Sequence, residues 1–82
     1  MFTVYVLKSL KNGKRYTGYT SKNPEERLRE HNNGSNKFTR QNGPFLLVYS
    51  EAIENKTGAI KREQFLKSGK GREFLNNKLS HP

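Results

Sequence analysis

Apolar and polar positions group into distinct periodic segments along these 82 residues. Phe2-Thr3-Val4-Tyr5-Val6-Leu7 is dense in β-branched and aromatic residues and predicts a first strand. Asn12-Gly13 is a hairpin signal, because a two-residue type I′ turn needs positive φ at both central positions. Arg15 to Thr20 then returns as the second strand. With that loop, Tyr5, Leu7, Ser9, Tyr16 and Gly18 project from one face. Changing the loop by two residues keeps Tyr5 and Tyr16 together, whereas a one-residue slip separates them. Gly18, having no side chain, is expected to leave an open spot on that shared face.

The helical segments follow. Asn23-Pro24-Glu25-Glu26 is a helix start, with Asn23 as cap, Pro24 in the first turn and Glu26 at the capping-box position. This helix runs to about Asn33, where Gly34 stops it. Arg27 and His31 are four apart and share a face. Residues 34 to 43 read as a polar connection. Phe45-Leu46-Leu47-Val48-Tyr49 is a continuous apolar run, the pattern of a strand covered on both faces. Glu54 or Asn55 opens a second helix that ends near Ser68-Gly69. Helical spacing on it puts Ala59, Glu63 and Leu66 side by side, with Ile60 flanking. Arg72 to Leu79 forms a last helix with Phe74, Leu75 and Leu79 on its apolar side. The order is β-β-α-β-α-α, an α+β class with a small antiparallel three-stranded sheet flanked by helices. A chain this short makes one domain, 1–82, with a single thin core.

Charge narrows the function. Sixteen Lys and Arg stand against seven Glu and no Asp, for a net charge of +9, the electrostatic footprint of a nucleic-acid binder. Candidate phosphate contacts are Lys14 and Arg15 at the hairpin, Lys37, Thr39 and Arg40 in the connection, and Lys67, Lys70 and Arg72 around the last helix break. The bland reading of each is a solvated surface residue. With no Asp and no Cys, a Ser-His-Asp triad and a thiol nucleophile are excluded on inventory. A zinc site would need His31 and His81 with Glu, a poor set. No run of 18 apolar residues exists, and Met1 leads directly into a strand, so a membrane span or cleaved leader is not expected and a cytoplasmic protein is.

Carboxylates are too dispersed for a two-metal cluster. One carboxylate, one Arg and one phenol nevertheless suffice for a one-metal hydrolysis of a phosphodiester. Glu63, an acid in an apolar stripe, is costly to bury unless it is paired or holds a metal. Mg2+ binds through few protein ligands and keeps its waters. Arg27 has the planar fork that matches phosphoryl oxygens. Structural alternatives stand beside each residue: Tyr5 and Tyr16 as ordinary strand aromatics, Arg27 paired with Glu26 or Glu30, Glu63 in a buried ion pair with Arg27, and His31 as a residue suited to a helix C-terminus.

Val4-Tyr5-Val6, Tyr16-Thr17-Gly18, Arg27 on the next helix and Glu63 on a later one resemble, in that order, the GIY-YIG nuclease domain of the small stand-alone bacterial type. Glu26-Arg27-Leu28-Arg29-Glu30-His31-Asn32 is similar to that family's first helix, and Leu47-Val48-Tyr49-Ser50-Glu51 to its third strand. The resemblance runs from about Phe2 to Leu79. The first motif lacks the Gly and Ile, Thr17 replaces the second Ile, and Tyr19 stands where repair-type members carry Lys. The resemblance implies a Mg2+- or Mn2+-dependent endonuclease that hydrolyses DNA with water. Tyr5 and Tyr16 would be the activating phenols, Arg27 would steady the phosphate, His31 matches a position of Tyr or His, and Glu63 would hold the metal. It further implies a role in DNA repair on branched or damaged DNA, with a protein partner supplying specificity. A non-catalytic nucleic-acid-binding module and a partner-dependent nuclease subunit are the alternatives. So small a domain leaves little room for a base-reading element, which predicts weak sequence specificity and salt-dependent binding.

Overall fold

The first strand organises everything else. In a computed structural model describing residues 1–34 and 36–80, β1 (Phe2–Ser9) lies between β2 (Arg15–Thr20) and β3 (Phe45–Ile53), antiparallel to both. Val4, Tyr5, Val6 and Leu7 are all essentially inaccessible, so β1 is the strand covered on both faces. The run beginning at Phe45 instead forms a sheet edge, with Leu46 51 % exposed. A continuous apolar run does not distinguish a central strand from an edge strand whose residues reach both cores. β3 also shifts register opposite Val6 and Leu7, which alters the alternation.

Register fixes the faces. Tyr5 pairs with Gly18 and Leu7 with Tyr16, while Val4 pairs with Tyr19 and Val6 with Thr17. The Ser9–Lys14 backbone bond closes a loop of residues 10–13, two longer than the two-residue loop of a type I′ turn. Ser9 N–H donates to Lys14 O at 2.8 Å, and Gly13 alone in the loop takes positive φ, 76°. The change by two preserves the parity of Tyr5 and Tyr16. Ser9 Oγ accepts from the amides of Lys11 and Asn12, which gives these two turn donors a partner.

Four helices cover the two faces. α1 (Pro24–Asn32) is capped by the Asn23 side chain, which accepts from Glu25 N–H, and the chain leaves it at Gly34 with φ 80°. The polar connection contains a further short helix, α2 (Lys37–Asn42), closed by a capping box in which Asn36 and Thr39 bond reciprocally. Only Phe38 and Thr39 carry it inward, too little periodicity to read as a helix. α3 (Lys56–Lys67) is capped by Asn55, and α4 (Gly69–Leu79) by Ser68. α4 thus starts three residues before the Arg72 expected, and Gly71 lies inside it. That glycine is a packing residue: an added Cβ would sit 1.9 Å from the Phe65 carbonyl oxygen and 2.5 Å from Leu66 Cα.

Two cores result, one on each side of β1. Val4 and Val6 pack with Ala59 and Leu66 of α3 and Leu75 of α4. Tyr19 faces this side, with its ring 6.4 Å from that of Phe2, and so points away from Tyr5. Tyr5 and Leu7 pack with Phe45 and are joined by Tyr16, Leu28 and Phe38. Two side chains lock the helices to β3. The Asn32 amide donates to Phe45 O and accepts from Phe45 N–H at 2.7 Å. Arg62 pairs with Glu51 and lies over the rings of Phe65 and Phe74, 4.9 and 5.0 Å from their centroids.

Candidate active site

Strand parity and helical spacing bring four of the singled-out residues to one place. Tyr5 and Tyr16 lie on the same face of the β1–β2 hairpin, their rings stacked at 6.5 Å. α1 crosses this face, and its residues one turn apart, Arg27 and His31, point down at the phenols. The Tyr5 hydroxyl meets His31 Nε2 at 3.0 Å, and the Tyr16 and His31 rings are 4.7 Å apart. Gly18 makes this closeness possible, in a different way from the open spot expected. A Cβ there would lie 2.7 Å from Tyr5 Oη and 3.2 Å from Tyr16 Cε1, so the phenols already fill its space.

His31 is fully buried, so it is not an exposed helix-end residue. Arg27 Nη2 also approaches His31 Nε2, at 3.4 Å. A guanidinium has only donors, so this nitrogen serves as the acceptor and the neutral ring carries its proton on Nδ1. Nδ1 is buried without a hydrogen-bond partner among the described residues. Burial, and then the Arg27 charge, push the imidazole pKa below its ordinary value, which keeps it neutral. Burial raises the Tyr5 pKa, while the Arg27 guanidinium beside it pulls the other way.

Arg27 is held from its other side. Glu30 accepts from Nη1 at 2.8 Å, and Lys22 Nζ lies 3.5 Å from the same carboxylate. The Arg27 hydrogen bond is the main reason the Glu30 pKa is lowered. One fork arm thus fixes the guanidinium while the other reaches the site. Glu63 does not pair with Arg27. Its side chain, 18 % exposed on the stripe of Ala59 and Leu66, contacts Lys67 Nζ at 3.2 Å, one turn along α3. Its charge contributes, after burial and other causes, to the raised pKa of Tyr5, so it lies within electrostatic reach of that phenol.

The eight candidate phosphate contacts separate into groups. Lys14, Arg15, Lys67 and Arg72 line a single cleft that includes Tyr16. Lys37, Arg40 and Lys70 are exposed and lie outside it. Thr39 is 1 % exposed, and its hydroxyl is engaged by the α2 cap, so it is removed from the contact set. His81 lies outside the described residues, and no group of three or more His or Glu that could hold a metal occurs among those described. No described helix is long and apolar enough to cross a membrane. Phe38, not among the candidate site residues, stands beside the site, its ring 5.8 Å from that of Tyr16. Spacing could not reveal this, because Phe38 arrives on α2.

Comparison with known proteins agrees with this geometry. Residues 1–78 match the family model described as the GIY-YIG catalytic domain. A UPF0213 protein of Clostridium perfringens is 49% identical over 65 residues, covering 78% of this chain and 68% of that protein. A UPF0213 protein of Staphylococcus saprophyticus is 42% identical over 66 residues, covering 79% and 78%. The solution NMR structure of a UPF0213 protein from Bacillus halodurans superposes with a TM-score of 0.58 at 36% identity, covering 100% of this chain and 89% of that one.

Proposed function

This chain belongs to the GIY-YIG family, and from that premise we propose that it is a metal-dependent endonuclease that hydrolyses DNA phosphodiester bonds. The observation that carries the reading is the convergence of two phenols, a neutral imidazole and a guanidinium on one face, with Glu63 in electrostatic reach.

Each residue has a task suited to its surroundings. Arg27, braced by Glu30, offers donors to the phosphoryl oxygens as negative charge develops there. Tyr16 is the more accessible phenol and borders the cleft, so it orients the attacking water. Tyr5 and His31 stand behind it, and the unprotonated Nε2 is a proton acceptor buried beside the reacting group. Glu63 fits a hard divalent cation such as Mg2+ or Mn2+. It presents one carboxylate in a partly enclosed position, whereas the described residues offer no thiolate and no cage of ligands. When bound, the cation supplies Lewis-acid stabilisation of the phosphoryl oxygens. Lys67 neutralises Glu63 in its absence.

The test is cleavage of supercoiled and branched DNA with and without Mg2+, comparing the natural sequence with Glu63→Ala. Metal-dependent cutting that falls by about two orders of magnitude or more in the variant, with binding retained, is the expected result. Binding without any cut product, at every metal concentration, would leave a nucleic-acid-binding module.

A further inference from the structure

The cleft beside Tyr16 has a composition that the proposed hydrolysis does not require. It encloses about 830 Å3 between the hairpin end of the sheet and the α3–α4 junction. Its rim carries Lys14, Arg15, Lys67 and Arg72, and no carboxylate lines it. Among the described residues, Lys14, Arg15 and Arg72 have no ion-pair partner. Two partly exposed aromatic residues, Tyr16 and Phe38, whose rings lie 5.8 Å apart, also line it. A second depression of about 510 Å3, lined in part by Lys8, adjoins this trough at Arg15 and Asn76, which border both.

A cationic rim alone suits any phosphate backbone, including that of a duplex. Duplex bases are stacked inward, so a duplex laid on the rim would satisfy Lys14, Arg15 and Arg72 and leave the two rings bare. An unpaired nucleotide offers both parts at once, a base with a π face for the rings and a phosphate for the rim. We propose that this trough binds a short unpaired segment of DNA strand next to the phosphate being cut, so that the favoured substrate carries unpaired nucleotides at the cleavage site. The position beside the cut rests on the nuclease reading above; the binding of an unpaired strand does not.

Fluorescence anisotropy in EDTA tests the binding without cleavage. The probes are a labelled single-stranded oligonucleotide, the duplex of the same sequence, and that duplex with a gap of a few nucleotides. The single-stranded and gapped probes should bind at least about tenfold more tightly than the duplex, the factor expected from stacking a base or two. Phe38→Leu keeps an apolar side chain in the core but removes the ring, and it should cut that preference several-fold. Arg72→Gln, on an exposed position, should instead weaken all probes and reduce the salt slope by about one. Equal or tighter binding of intact duplex overturns the proposal, as does a preference that both variants leave unchanged. Strand preference in a protein that cuts no DNA with Mg2+ supports the trough and defeats the nuclease reading. Cutting of duplex and gapped DNA at equal rates, without strand preference in binding, does the reverse.

Discussion

His31 shows how burial sets chemistry at the level of one residue. A fully buried imidazole with the Tyr5 hydroxyl and the Arg27 guanidinium at Nε2 is favoured as the neutral ring. Its pKa is lowered in the folded chain, so the unfolded chain binds the proton more readily. The stabilisation this gives is present above about pH 6.5, the ordinary histidine value, and is lost as pH falls through the lower folded value. Urea unfolding between pH 7.5 and pH 5 should show stability declining with acid. His31→Phe, which fills the same space without titrating, should remove this decline, whereas the share due to Glu30, whose pKa is lowered, sets in only at more acid pH. A wild-type profile that is flat over this interval would contradict the buried neutral ring.

At the scale of elements, Gly71 lets α4 pack backbone to backbone against the end of α3. Gly71→Ala would force backbone against backbone, and the strain expected of overpacking is about 1–3 kcal/mol or more. For a domain of this size that corresponds to a fall in Tm of roughly 4–8 °C per kcal/mol, measurable by circular dichroism. Gly69→Ala, two residues earlier with nothing within 4 Å of the new methyl, should change Tm by no more than a few degrees. These two glycines look alike in sequence, and both fall in what reads as a break before Arg72. The elements that were legible there are those with strong period and caps: β1, β2, α1 from Asn23-Pro24, and α3. The pairing of Tyr5 with Tyr16 and of Arg27 with His31 was legible because it depends only on parity and helical spacing. What local pattern does not encode is which layer covers which strand. Hence β3 read as a doubly covered strand, α2 as a connection, and Gly18 as open space that Tyr5 in fact fills. The cleft was illegible for the same reason, since its rim comes from a hairpin and two helices far apart in sequence.

For the molecule as a whole, +9 of net charge sits on a body of 29 × 27 × 22 Å, so binding to nucleic acid should be dominated by counterion release. Affinity for a single-stranded probe should fall steeply between 50 and 200 mM salt. The three rim cations without an ion-pair partner among the described residues, Lys14, Arg15 and Arg72, give a slope in log Kd against log salt of roughly 2, taking about 0.7 per phosphate contact. A slope near zero would show that the rim does not carry the binding. The central strand has a different consequence. Tyr5 is 1 % exposed and is as much a part of the core as Leu7 beside it, with Gly18 shaped around its ring. A relative without the proposed cleavage would therefore still be held to Tyr5 and Gly18 by packing. No such pressure acts on Glu63, partly exposed on its helix, or on Arg27 at the rim of the site. In any relative, the tyrosine and glycine report that the fold persists. On the proposed function, the arginine and glutamate together are what a relative that cuts DNA would have to keep.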